Sequence, residues 1–163
     1  MANVRIQPSR ALTAYKSDFA DIPYPAVAET GTNSGTGATL TDVSKDFVAL
    51  NIYAGNIVYN ITPGFEAAAT IIGNPSPTTP DTLQLNDAIM NAGNSYIIYQ
   101  SSPQAGGQNT GCVLYIGTGG DLEVTTAGGD KVIFVGVPSG TFLPVQVVKV
   151  WNTGVSGDII ALW

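Results

Sequence analysis

Four acidic residues, Asp121, Glu123, Asp130 and Asp158, are the grouping of side chains in this sequence with the most obvious capacity for chemistry. On a strand Asp121 and Glu123 share a face, and with Asp130 across a hairpin they offer hard oxygen ligands of the kind that hold Ca²⁺. Spacing alone does not select a metal, and a solvated turn face is the preferred reading. A paired-carboxylate glycosidase would also need an aromatic-lined cleft, and none can be traced. Gly117-Thr118-Gly119-Gly120-Asp121 could cradle an anion with successive backbone N–H groups. It lacks the Gly-Lys-Ser/Thr ending of a phosphate loop and leads into a strand-like run, so a tight turn is expected. The chain has no histidine, which removes Ser-His-Asp and Cys-His arrangements together with the commonest metal ligand. Cys112 is the lone cysteine, sits beside an apolar run and reads as an inert core residue. Tyr53, Tyr59, Tyr96 and Tyr99 could form a sugar-binding platform, but filling or rimming a small barrel is the preferred role. Asn60-Ile61-Thr62 fits a glycosylation acceptor, but without a secretory route a strand end entering a turn is the preferred reading. No catalytic, cofactor-binding or metal-binding residue is therefore assigned, and no enzymatic activity is expected.

The elements that carry these residues read as β structure. From Gly111 to Trp163, short apolar runs alternate with Gly, Asp, Ser and Pro clusters, the pattern of strands and tight turns. Leu122 to Thr125 and Val132 to Val135 flank Ala127-Gly128-Gly129-Asp130, which predicts a hairpin with glycine supplying any positive φ. In Val145 to Val150, Val145, Val147, Lys149 and Trp151 would face one side, and Gln146, Val148 and Val150 the other; with Lys149 in the first set the alternation is imperfect, which suits a strand covered on both faces or an assembly contact. The apolar end, Ile159 to Trp163, is expected to be held as a strand in its own sheet or a neighbour's. A middle block holds further short strands at residues 56–61, 67–72, 82–85 and 95–99, separated by turn residues. It suggests a small barrel or compact sheet. Thr30 to Ala38 and Ser101 to Thr110 read as polar, Gly-rich linkers on either side of it. Leu40 to Phe47 suits a short helical turn capped by Asp42, or a β-turn. Pro8, Pro23 and Pro25 keep residues 1–29 extended. That arm is either an edge of the chain's own β-domain or a reach to a neighbouring subunit, with Tyr15, Phe19, Ile22 and Tyr24 as its anchors.

Leu114-Tyr115-Ile116-Gly117-Thr118-Gly119-Gly120-Asp121, Gly136 to Val145 and Asp158 to Trp163 follow one another with an order and spacing that resemble the head-spike base proteins of tailed phages and gene transfer agents. Ser17 to Ala26 is similar to the segment that in that family comes shortly before the first of these runs. About eighty residues separate the two pieces here, which implies an insertion. The middle block, from Asp46-Phe47 through Gly55-Asn56-Ile57-Val58-Tyr59-Asn60, is similar to small β-modules that recur in phage structural proteins. The fold this implies is all-β: a discontinuous, jelly-roll-like β-sandwich of residues 1–30 and 109–163, with a small β-barrel module inserted at 31–108.

The resemblance implies a virion structural protein on the capsid exterior, assembled in the host cytoplasm. It would act as capsid decoration or cement, or as the base of a head spike. Its partners would be further copies of itself, as a trimer or pentamer, and the major capsid protein or a spike protein. The alternative is a host-glycan-binding module of a spike, tail fibre or baseplate. Composition points the same way. Only 11% of the 163 residues are charged, well below the usual quarter, which suits a surface covered by neighbouring subunits. A net charge of −6 argues against binding nucleic acid or an anionic membrane. The start lacks a signal-peptide core, and no run of about 18 apolar residues occurs, so neither secretion by that route nor a membrane-spanning helix is expected. The candidate assembly contacts are Phe142, Leu143, Trp151, Ile159, Ile160, Leu162 and Trp163.

Overall fold

The computed structural model describes residues 8–101, 110–154 and 157–163. They form twelve strands, with no helix among the described residues, and the chain is all-β with a β-sandwich-like character. It divides into two units, Met1–Ala14 with Thr110–Trp163, and Tyr15–Asn109. The first break thus falls at Ala14 rather than near residue 30. Residues 15–30 belong with the middle block because β2 pairs with that block's last strand.

The first unit holds β1 (Ala11–Thr13), β8 (Cys112–Thr118), β9 (Gly120–Thr126), β10 (Lys131–Val137), β11 (Thr141–Val150) and β12 (Gly157–Leu162), in the antiparallel order β1-β12-β8-β11-β9-β10. The expected hairpin is β9–β10, with Val132 opposite Val124 and Gly129 at φ 91° in the turn. The apolar C-terminal run is β12, held in the chain's own sheet between β1 and β8. β11 serves two partners. Its first part pairs with β8 and its last part with β9, and its register shifts between Leu143 and Val147 and again between Val147 and Lys149. Pro144 cannot donate to a ladder and sits at the first shift. Such bulges bend a strand and increase its local twist. Leu114, Ile116, Leu122, Val124, Val147 and Ile159 are buried on the inner face of this sheet. The second shift gives the imperfect alternation along Val145–Val150 its cause: Val147 and Val150 are both buried, because the extra residue between them reverses the facing.

The second unit holds β2 (Val27–Thr32), β3 (Thr39–Thr41), β4 (Ile57–Asn60), β5 (Ala67–Thr70), β6 (Thr82–Gln84) and β7 (Ser95–Tyr99). Four strands, β2-β7-β4-β5, form one sheet and β3-β6 a second, with Leu40, Phe47, Val58, Leu83, Tyr96 and Ile98 in the core. The expected barrel is not closed. Between the sheets run single links, the Ile71–Leu85 bridge and the Ser34 N–H to Thr41 carbonyl bond of 2.7 Å. A barrel needs continuous ladders between all neighbours. Here β3 and β6 have three residues each, and Pro75, Pro77 and Pro80 carry the chain out of the ladder between β5 and β6.

The expected first linker is ordered structure. Asn33 is buried and its side chain makes four bonds: Nδ2 donates to the carbonyls of Gly35 (2.7 Å) and Asn91 (3.0 Å), and Oδ1 accepts from the N–H groups of Gly35 (3.0 Å) and Thr41 (2.8 Å). Polarity in that segment marks a tied turn, not solvation. Leu40 to Phe47 takes the β-turn alternative, the Lys45 N–H donating to the Asp42 carbonyl at 2.9 Å. The expected second linker, apart from Ser101 and Thr110, lies outside the described residues.

Candidate assembly surface

Strand register places the apolar side chains of the first unit on two faces. Leu114, Ile116, Leu143, Ile159 and Ala161 point to the buried inner face, and their neighbours in sequence point to the outer one. On that outer face Thr13 lies opposite Ile160, Ile160 opposite Tyr115, and Tyr115 opposite Phe142. One rung over, Ala11 lies opposite Leu162 and Leu162 opposite Val113. These two rungs make a continuous apolar stripe across β1, β12, β8 and β11. The Tyr115 and Phe142 rings sit 5.3 Å apart, tilted by 58°. Phe142 nevertheless stays 56% exposed.

Beside the stripe opens a groove of about 800 Å³ whose walls include Pro8, Val113, Phe142, Pro144, Leu162 and Trp163. The bulged residues Pro144, Val145 and Gln146 all border it, so the proline that bends β11 also shapes the groove. Gly111, at φ 80°, makes this close approach possible, since a Cβ there would lie 3.2 Å from both the Gln146 Cβ and the Val147 nitrogen.

Of the seven candidate contacts, Phe142, Ile160, Leu162 and Trp163 belong to this face and its groove. Leu143 and Ile159 are corrected to core residues, 4% and 2% exposed, because strand alternation turns each inward between outward neighbours. Trp151 lies apart. Its indole N–H donates to Thr125 Oγ1 at 3.0 Å, and Lys131 Nζ stands 3.7 Å from its ring centroid, a cation–π contact. Tyr115, Val113 and Pro144 were not singled out in sequence. The period-two alternation of Cys112 to Gly117 was the available signal for the first two.

The arm divides: β1 is an edge strand of the first unit's sheet, and from Tyr15 onward the arm's residues pack within the second unit. Tyr15 packs on Tyr59 with centroids 4.5 Å apart, Ile22 is buried, and Tyr24 N–H donates to the Gln100 carbonyl at 3.0 Å. Ser17 Oγ donates to the Ala68 carbonyl at 3.2 Å and accepts from the N–H groups of Phe19 and Ala20. Only Phe19 among the four anchors is exposed.

The residues with chemical potential are engaged in holding the fold. Among the described residues no group of three His, Cys, Asp or Glu side chains could hold a metal ion. Asp121 Oδ1 accepts from the Gly136 N–H at 2.9 Å, Glu123 pairs with Lys131 at 3.1 Å and accepts from the Thr153 hydroxyl, and Asp158 accepts from Thr118 Oγ1 at 2.6 Å. The glycine run is steric. A Cβ on Gly119 would lie 2.6 Å from the Ser139 nitrogen, and the Gly119 N–H already donates to Ser139 Oγ at 2.8 Å. Of the four tyrosines considered as a sugar platform, Tyr59, Tyr96 and Tyr99 are buried in the second unit. The Tyr96 hydroxyl donates to Asp42 Oδ2 at 2.8 Å. Burial first, and then the Asp42 carboxylate, push the Tyr96 phenol far above its ordinary range. Burial works against the Asp42 carboxylate too, but bonds from Ser44 and Tyr96 and the charge of Lys45 outweigh it and hold its pKa below the usual value. Cys112 donates to the Val147 carbonyl at 3.3 Å, and burial pushes its thiol up to about 12.

No family model, curated protein or solved structure matches this chain.

Proposed function

We propose that the chain is a non-enzymatic structural protein of a phage virion, attached to the head exterior in homo-oligomeric form as capsid decoration or cement, or as the base of a head spike. The observation that carries this reading is the apolar outer face of the first unit. Stripe and groove together present Phe142, Leu162, Pro144 and Trp163 on a chain of which only 11% is charged. Contiguous apolar surface of this kind marks a protein-binding face. The segments similar to head-spike base proteins supply much of it: Leu114-Tyr115-Ile116 lies on β8, Phe142 to Val145 on β11, and Ile159 to Leu162 on β12. The mechanism is mechanical. Each contact buries apolar area at about 25 cal/mol per Å², and repetition over a lattice turns modest contacts into durable attachment.

The test is co-sedimentation of the purified chain with empty capsids that lack it, alongside its mass in solution by light scattering. A closed trimer or pentamer that pellets with the shells, and a Phe142→Asp variant that keeps its fold but stays in the supernatant, are the expected results. A chain that ignores capsids and instead binds host glycans would overturn the reading.

A further inference from the structure

β10 is the long uncovered edge of the first unit. It lies last in the sheet, pairs only with β9 among the described strands, and runs Lys-Val-Ile-Phe-Val-Gly-Val. Its side chains are open on both faces. Ile133 and Val135 are 59% and 79% exposed, and Val132, on the inner face opposite the buried Val124, remains 37% exposed. The core is therefore left bare at this edge. Edges are ordinarily blunted by shortness, proline, charged side chains or bulges. β1, at the opposite edge, has three residues with Pro8 just ahead of it. β10 keeps five residues, Lys131 to Val135, ahead of its bulge at Gly136, with no proline and one charge, Lys131, which is paired with Glu123.

The hydrogen-bonding groups on this edge have a definite register. The hairpin closes with the Thr126 N–H donating to the Asp130 carbonyl at 2.9 Å. Bonds to β9 then recur at every second residue, at Val132 and Phe134, so the N–H and C=O groups of Lys131, Ile133 and Val135 point away from β9. A bulge at Gly136, φ 63°, ends the regular edge. Three outward residues centred on Ile133 match themselves about a two-fold axis.

We infer that β10 pairs antiparallel with β10 of a second copy of this chain, with Ile133 facing its mate and Lys131 facing Val135 of the other copy. This rests on the reading of the chain as a self-assembling structural protein. The edge is complementary to itself. On the inner face Val132 meets Phe134, on the outer face Ile133 meets its own mate while Lys131 lies against Val135, and the two Lys131 charges stand about 14 Å apart, beyond the screening length at physiological salt. The contact is isologous and makes pairs, so it would join two neighbouring rings or lattice positions rather than close a ring. Seven residues a side is well short of the 20 to 30 of a standard interface, so the seam is reversible alone and becomes durable only with a further contact such as the outer apolar face.

Single-cysteine scanning of the full chain, without capsids, tests this. Cys112 is 3% exposed and stays out of the reaction below its raised pKa. Under mild oxidation at the same protein concentration, Ile133→Cys should form a covalent dimer at least about ten times faster than Val43→Cys, a control 80% exposed in the second unit. Lys131→Cys alone should not link, and an equimolar mixture of Lys131→Cys and Val135→Cys should give the mixed dimer. The mixture also serves if Ile133→Cys fails to fold. Equal rates for Ile133→Cys and Val43→Cys, or linkage of Lys131→Cys to itself as readily as in the mixture, overturns the seam. Rapid linkage by a chain that ignores capsids would uphold the seam while sinking the virion reading, and capsid binding without linkage would do the reverse.

Discussion

Replacing Gly31 with alanine sets two physical effects of opposite sign against each other. Gly31 lies within β2 and is not among the residues of positive φ, so alanine suits its backbone. On conformational entropy alone the change should stabilise the chain by about 0.4–1 kcal/mol. Space says otherwise. A Cβ at Gly31 would lie 2.6 Å from the Tyr96 hydroxyl and closer still to Asp42 Oδ2. Neither group has a free path of retreat, since the Tyr96 ring is fully buried and Asp42 is held by Ser44 through both its N–H (3.0 Å) and its hydroxyl (2.6 Å). The accessible response is to part Tyr96 from Asp42. That loses a hydrogen bond to a charged group, about 1.5–3 kcal/mol. The net expectation is a loss of about 1–2 kcal/mol, read by urea unfolding of the whole chain with a probe of the second unit. Tyr96→Phe removes the same bond and the hydroxyl that stands 2.6 Å from the new Cβ, and it releases Asp42 Oδ2 from that bond, so the two changes together should cost clearly less than their sum. A Gly31→Ala chain as stable as the parent, or a loss that is undiminished in the Tyr96→Phe background, would refute the steric account.

Acid should act through the same cluster. The folded pKa of Asp42 is lowered, and that of Glu29 is lowered by the Thr30 N–H and then by Lys45. Their contribution is present above the ordinary carboxylate pKa of about 4 and is lost as pH falls below it through the depressed folded values. Unfolding midpoints taken from pH 6 to pH 2 should drop most steeply below about pH 4, and Asp42→Asn should flatten that limb; an unchanged limb would show that other carboxylates set it. Asn33→Ala deletes four side-chain bonds at a buried position and should cost about 3–4 kcal/mol, with Asn33→Asp recovering only part, since a carboxylate lacks the two N–H donors to Gly35 and Asn91. A loss below about 1 kcal/mol would mean that the turn holds without its side-chain anchor.

Much of the fold was legible because strands and turns are local. β-branched and aromatic runs between Gly, Pro, Asn and Asp clusters located the β9–β10 hairpin, the strand at Ile57–Asn60 and the apolar strand that ends the chain. Pairing across distance was not legible. Nothing in Thr30 to Ala38 distinguishes a solvated linker from a turn tied by Asn33, because its partners Asn91 and Thr41 lie 58 and 8 residues away. For the same reason a boundary near residue 30 cuts through β2, whose pairing with β7 keeps it whole in the second unit. The candidate surface divides likewise. The sequence marked Phe142, Ile160, Leu162 and Trp163 as apolar and worth covering, but it marked Leu143 and Ile159 equally, since only register decides which neighbour on a strand faces water. Composition by itself determined a histidine-free, charge-poor chain, and the order of its apolar runs and turn residues made it β. The bulges of β11 and the edge position of β10 came from tertiary structure alone, because a strand is bent or left at an edge by the neighbours it finds, not by the residues it contains.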